Sequence, residues 1–323
     1  MNHNRLQNKI AGSAFTLPVC IVMAAALWWL PQRSFSVRYF GGLVLCLLTT
    51  YVVMETNAQQ HIIRIRTRMM SCVWLVLTAC LSFMHPLGEP IIAAACLCVS
   101  YMLLFRCYQR HRPQAIVFHA FLMLSIGSFC APVMLLMAIP FFLYIAFLLR
   151  SLTNKAFWAG ILGLIVPYWC YAVWCFVTGN IFIYHLPFTI YHLPLTIYHL
   201  PFFLGEESGV RLSFSEQVSA AVIVLLSIVS IVHYLRTNYD DKIRVRMILY
   251  IYMTQTLMMI AFLLLQPTQY QTTMALLVAS ASPLIAHYFS LTGSIPSNIF
   301  FVLTLLLAAG MATLNLWLTS FSI

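Results

Sequence analysis

Charged residues make up only 7% of this 323-residue sequence, against roughly 25% in an average soluble domain. So little solvating surface excludes a water-soluble enzyme, a nucleic-acid-binding domain and a disordered chain. Acidic residues are scarcest: seven in all, Glu55, Glu89, Glu206, Glu207, Glu216, Asp240 and Asp241. None falls in the middle of an apolar run, where an ionisable group is costly and therefore usually functional. That weakens the case for a carrier driven through a membrane-embedded carboxylate. The usual catalytic signatures are missing too. There is no Walker A sequence, no Gly-x-Gly-x-x-Gly, no His-Glu-x-x-His and no Gly-x-Ser-x-Gly. ATP-driven pumps, zinc proteases and serine hydrolases of the usual kinds are thereby removed. Neither a cofactor nor a metal site is expected.

Apolar sequence is what abounds, with 62% hydrophobic residues and a mean hydropathy of +0.92. A membrane-spanning helix needs about 20 mostly apolar residues. Such runs lie at 12–30, 37–54, 69–84, 91–105, 115–129, 132–149, 156–177, 214–235, 247–265, 272–291 and 297–320. They are apolar on all faces, as helices in lipid or inside a bundle are. None alternates in the way of a barrel strand. The expected fold is all-α: one integral membrane domain over 1–323, a polytopic transmembrane helix bundle of about eleven spans, between about ten and twelve. The stretch 115–149 divides at Cys130-Ala131-Pro132, because Pro suits the first position of a new helix.

The net charge of +10 is distributed one-sidedly. With a cytoplasmic N-terminus, the inner segments hold Arg5, Lys9, Arg64, Arg66, Arg68, Arg106, Arg110, Arg112, Arg150, Lys155, Arg236, Lys242, Arg244 and Arg246. Only Arg33, Arg38 and Arg211 remain outside. This is the positive-inside pattern, and it argues for a membrane surface rather than a nucleic acid as the partner. Arg64, Arg66, Arg68, Arg106, Arg110 and Arg112 are placed to meet anionic lipid headgroups. The first run ends in Trp28-Trp29-Leu30-Pro31 without a small-x-small cleavage site, so it reads as an uncleaved span rather than a signal peptide. The ten cysteines lie in or beside apolar runs, where Cys behaves as a small hydrophobe.

One long connection, 178–213, falls on the outer side. It contains three near-identical heptads over 183–203, each beginning Ile-Tyr-His-Leu-Pro. His185, His192 and His199 would stand about 23 Å apart in extended chain, too far to share an ion. Pro187, Pro194 and Pro201 disfavour the helix that would align them. The repeat reads as a tandem duplication tolerated in a surface loop.

Candidate functional residues fall in two groups. Near the outer surface, Glu206, Glu207 and Arg211 are catalytic candidates. They adjoin an aromatic segment, Tyr168, Trp169, Tyr171 and Trp174, which would suit a sugar or lipid-linked phosphate; an interfacial aromatic belt is the plainer reading. Within the membrane, His119 and His287 are candidates for substrate binding or a proton relay, against the plainer reading of hydrogen-bonded structural histidines. A carrier would need polar groups converging at mid-depth, such as His119, Gln255, His287 and Asn315. Pro140, Pro167 and Pro283 lie inside spans and free the carbonyls four residues earlier. Gly160 and Gly163, and Ala275, Ala279, Ser282 and Ala286, suit close helix packing.

The stretch 126–169 carries a hairpin with Pro132, then Leu149-Arg150, a short basic loop, and a helix with Gly163 and Pro167-Tyr168. In these elements it resembles a group of polytopic inner-membrane proteins of Bacteroidota catalogued as a domain of unknown function. Cys130-Ala131 and Lys155-Ala156 depart from the group's aromatic and Arg-Glu positions. The resemblance covers about 44 residues; it implies a bacterial inner membrane and transfers no functional residues. Two functions remain open. One is a carrier or flippase-like protein, or an envelope-assembly subunit, without enzymatic activity. The alternative is an outer-face enzyme acting on lipid-linked saccharide, similar to O-antigen polymerases and ligases, which also combine ten to twelve spans with one larger external loop.

Overall fold

The computed structural model describes residues 6–30, 36–65, 67–179 and 212–321. Among them there is no strand, and each of the eleven apolar runs contains helix. In chain order the helices are α1 (Leu6–Gly12), α2 (Thr16–Trp29), α3 (Val37–Gln60), α4 (Met69–Cys80), α5 (Glu89–Phe105) and α6 (Gln114–Ser128). There follow α7 (Val133–Leu136), α8 (Ala138–Leu143), α9 (Asn154–Thr178), α10 (Phe214–Thr237), α11 (Ile243–Leu265), α12 (Tyr270–Leu291) and α13 (Ile295–Phe321).

Six of these, α3 and α9 to α13, are long and apolar enough to cross a membrane. The chain is a multi-pass membrane protein. The first apolar run departs from a single straight span: α1 and α2 meet at 94°, so α1 lies across the end of the bundle. The run at 132–149 also breaks, into α7, α8 and a π-helical turn at Tyr144–Leu148, with Pro140 inside α8. Pro removes an amide donor and clashes with the preceding turn, and Pro140 stands in the broken segment. Pro167 and Pro283, by contrast, sit within continuous helices.

Four apolar segments are short. The twelve residues of α4 rise only about 18 Å, less than the roughly 30 Å of a hydrocarbon core. Its surroundings allow this, since α4 and most of α5 are enclosed by other helices. The bundle is built around α12, 94% buried over its most apolar window and packed against α4, α5, α10 and α11. Ala275, Ala279, Ser282 and Ala286 line one of its faces, all buried, and small residues let neighbouring backbones approach. The Ser280 hydroxyl donates to the Leu276 carbonyl at 3.0 Å, so it enters the apolar interior with its hydrogen bond made.

Elsewhere, α6 and α9 touch backbone to backbone. A Cβ at Gly163 would stand 2.4 Å from the Phe118 carbonyl oxygen, and the Ser125 hydroxyl crosses to Leu164 O at 2.7 Å. The outer flanks of α2, α3, α9 and α13 expose Val22, Met23, Leu48, Leu162, Phe176, Ile299 and Leu306. A flank this apolar is stable only against lipid or another apolar surface.

The two ends of the bundle differ in chemistry. One is basic: there Arg106 Nε donates to Gln59 Oε1 at 2.8 Å, and the Arg244 guanidinium reaches Gln60 Oε1. Gln7 of α1 anchors there as well, its amide donating to Phe289 O at 2.6 Å and Thr292 Oγ1 at 2.9 Å. At the opposite end lie the starts of α3, α5, α10 and α12.

Candidate functional site

The opposite end is hollow. A cleft of about 630 Å³ opens there, lined by the first turns of α3, α5, α10 and α12, the connection before α5, and Asn315 of α13. Its charged groups are Arg38, Glu89 and Glu216. These are all the charged side chains described at this end. Tyr39, Phe83 and Tyr270 add aromatic surface, and Ser213, Ser215, Ser219 and Gln271 add neutral polar atoms.

Local structure holds each wall in place. At α10, Ser213 and Glu216 form a reciprocal capping box: Ser213 N donates to the Glu216 carboxylate at 2.9 Å, and Glu216 N to Ser213 Oγ at 3.3 Å. This pairing satisfies otherwise orphaned amides at a helix start. Tyr270 OH donates to Glu216 O at 2.9 Å, tying α12 to α10. Asn315 Nδ2 donates to Cys80 O at 2.8 Å and to Ser219 Oγ at 3.1 Å, closing the floor. On the α3 side, Leu87 N donates to Arg38 O at 2.8 Å while Arg38 Nε donates to Leu87 O at 3.1 Å. Glu89 is exposed in the first turn of α5, where a carboxylate is favoured by the helix dipole. A guanidinium, two carboxylates and aromatic faces in one recess suit a polar head bearing hydroxyl, phosphate or amine groups.

Behind the Arg38 wall sits His85. Its ring stacks on Trp28 at 4.3 Å, Trp28 Nε1 donates to Tyr39 O at 3.1 Å, and His85 Nε2 lies 3.1 Å from Ala79 O. A carbonyl only accepts, so Nε2 carries the proton, and Nδ1 is buried without a hydrogen-bond partner among the described residues. Burial drives the imidazole down from 6.5 to about 4, against the smaller opposing effect of the Ala79 hydrogen bond. A group whose native pKa lies below its unfolded value binds fewer protons when folded. The stability tied to neutral His85 is therefore complete above about pH 6.5 and is lost as pH falls toward about 4. Thermal unfolding at stepped pH should show Tm falling across that window, and a shallower fall in His85→Phe, which keeps the stack. Equal slopes in the two proteins would assign the titration elsewhere.

The basic end holds a second ionic group. Asp241, in the turn between α10 and α11, has a fully enclosed side chain. Arg64 Nε stands 2.8 Å from its Oδ1, and His287 Nε2 stands 3.1 Å from its Oδ2. Arg64 also donates to Asp240 O at 3.2 Å and lies 3.7 Å from the Asp240 carboxylate. Tyr234 presents its ring edge-on to His287 at 5.5 Å. Three segments of the chain, the α3–α4 connection, the α10–α11 connection and α12, thus converge on one buried carboxylate.

The residues singled out in the sequence are scattered. His119 is exposed on α6, its Nδ1 2.6 Å from the carbonyl of Ala115 in its own helix. His287 lies one turn from the basic end rather than at mid-depth. Gln255 accepts from Tyr144 OH at 3.2 Å, and Asn315 belongs to the cleft floor. The four do not converge. On α9, Tyr168 pairs with the Ser128 hydroxyl, while Trp169 and Trp174 project from the bundle surface away from the cleft lining. Glu206, Glu207, Arg211 and the three heptads lie outside the described residues, as does Arg66. Arg68, Arg106, Arg110 and Arg112 are exposed at the basic end. Among the described residues no three His, Cys, Asp or Glu side chains gather as a metal site.

Two assemblies escaped the sequence reading. Arg38, Glu89 and Glu216 each flank the start of an apolar run at the end that the charge count places outside, which was the available signal for the cleft. The Asp241–His287 contact joins residues 46 apart, and only an acidic pair standing among basic residues hinted at it. No family model, curated protein or solved structure matches this chain.

Proposed function

We propose that the chain is a flippase-like carrier of a bacterial inner membrane, crossing eleven times with its basic end in the cytoplasm. Its substrate is an amphiphile whose sugar- or phosphate-bearing head seats in the outer cleft. One observation carries this reading: every charged side chain described at that end lines a single recess. Its floor is sealed by Asn315, Ser219 and Cys80 O. On this reading the far end is shut, held by the Arg64–Asp241–His287 group and the Gln7 anchor. Open above and closed below is one of the two states that alternating access requires. The four short helices are read as crossings shielded inside the bundle, and exposed Arg68, Arg110 and Arg112 as contacts for anionic headgroups.

A second reading is supported by the same cleft. Two carboxylates beside a guanidinium are also the equipment of glycosyl transfer, so an outer-face enzyme acting on lipid-linked saccharide stays in play. The test uses proteoliposomes carrying a fluorescent polyprenyl-diphosphate saccharide and a membrane-impermeant quencher. A carrier changes the quenchable fraction and leaves the glycolipid intact. Arg38→Ala should slow that change by about tenfold or more, the loss expected for one charge-assisted hydrogen bond. Transferred or cleaved saccharide without movement would select the enzyme. A glycolipid neither bound, moved nor altered would overturn both readings.

A further inference from the structure

The carboxylate at the basic end serves two partners, a guanidinium and an imidazole, and only one of them has a way out. Arg64 and His287 sit on opposite oxygens of Asp241. The Arg64 side chain is 41% exposed and that of His287 only 2%. With Asp241 ionised against Arg64, His287 Nε2 must be the donor, because a carboxylate only accepts. In a neutral imidazole held this way the free lone pair is on Nδ1. That atom is buried with no hydrogen-bond partner among the described residues.

We propose that His287 Nδ1 is a proton-binding site and that its protonation releases Arg64 from Asp241, unlocking the basic end of the bundle. A proton arriving at Nδ1 turns a neutral ring into an imidazolium whose Nε2–H still points at Asp241. One carboxylate then faces two cations, and these repel each other across it. Arg64 can recover its hydration by swinging outward; His287 cannot, being fixed within α12. The guanidinium is therefore the partner that leaves. What remains for it is the Asp240 carboxylate at 3.7 Å, itself half-exposed, and exposed pairs hold weakly. Release frees the α3–α4 connection from the α10–α11 connection, two segments that approach each other through Asp240 and Asp241.

Every neighbouring element bears on the balance. From α10, His233 and Tyr234 face His287, His233 as a second imidazole and Tyr234 through its ring. From α11, Arg246 accepts Tyr234 OH at its carbonyl, and its own Nε is buried without a hydrogen-bond partner among the described residues. The connections supply Arg64, Asp240 and Asp241. α4 carries no charged residue, α5 has only Glu89 at its far end, and α1 contributes Lys9, which is exposed. Asp241 is the one fully enclosed carboxylate against these cations, and it makes an imidazolium tenable at this depth.

The consequence for transport rests on the carrier reading, whereas the switch itself is tested without substrate. Imidazole titrates in the range of about pH 5 to 8, so hydrogen–deuterium exchange of the full chain in lipid nanodiscs would be compared near both limits and corrected for intrinsic exchange. Peptides covering 61–69 and 238–246 should exchange about tenfold faster at the acidic limit in the wild type. In His287→Gln, which keeps a donor toward Asp241 and cannot be protonated, both peptides should stay slow at both limits. In Asp241→Asn they should be fast at both. A flat wild-type profile, or a pH response preserved in His287→Gln, would overturn the proposal. Should His287→Gln fail to fold, the wild-type profile together with Asp241→Asn still decides. If the switch is present but no glycolipid moves, the carrier reading fails and the proton site stands.

Discussion

Gly42→Ala should be among the most damaging single-methyl additions to this protein. A Cβ at Gly42 would stand 2.0 Å from the His85 carbonyl oxygen and 3.0 Å from both Leu87 N and Pro86 C. All three are backbone atoms, so no side-chain rotation relieves the clash. The 85–87 segment would have to lift away from α3. That would pull apart the paired bonds between Arg38 and Leu87 and the stack of His85 on Trp28. Overpacking typically costs about 1–3 kcal/mol, and with backbone on every side the upper end applies. Thermal unfolding in detergent should show Tm lowered by several degrees. Gly310→Ala is the control: nothing lies within 4 Å of a Cβ there, and alanine is favoured over glycine inside a helix by up to about 1 kcal/mol. A Gly42→Ala protein as stable as wild type would mean that α3 and the 85–87 segment are not in contact.

The second large effect is expected at Arg64, a residue whose partial exposure suggests tolerance. Arg64→Ala removes the one fully charged partner that the enclosed Asp241 carboxylate has among the described residues. Leaving a buried charge uncompensated costs about 3–5 kcal/mol, and the lower end suits a site with one solvent-facing edge. Asp241→Ala should cost less than Arg64→Ala, because the freed guanidinium reaches water and the imidazole remains neutral. Unfolding midpoints of the two variants check this order; the reverse order would show that Asp241 is not ionised in the folded protein.

These effects could not have been read from the sequence alone, though the elements that carry them could. Each apolar run from 12–30 to 297–320 contains helix, because burying or solvating a peptide group in lipid is costly and the helix satisfies its own backbone. The break at Cys130-Ala131-Pro132 also holds: Ala131 N closes a turn on Gly127 O at 2.9 Å before α7 begins. Small residues at Gly163 and along α12 announced close packing, which the structure realises against Phe118 and inside the bundle. Local properties of this kind, hydropathy, turn chemistry and side-chain size, act over a few residues and are written in order along the chain.

Tertiary structure alone decided which helices are interior. The composition of α4 resembles that of its neighbours, yet α4 is enclosed while α9 presents Trp169, Trp174 and Phe176 outward. In a sequence where nearly every face is apolar, no stripe distinguishes the side meeting lipid from the side meeting protein. The same physics hid the functional candidates. Polar groups separated by tens or hundreds of residues come together only through helix packing: Arg38, Glu89 and Glu216 line one cleft, and Arg64 meets Asp241 beside His287. Hydropathy determined that the chain lies in a membrane as a bundle of helices. Packing geometry decided where the cleft opens and which polar groups are brought together.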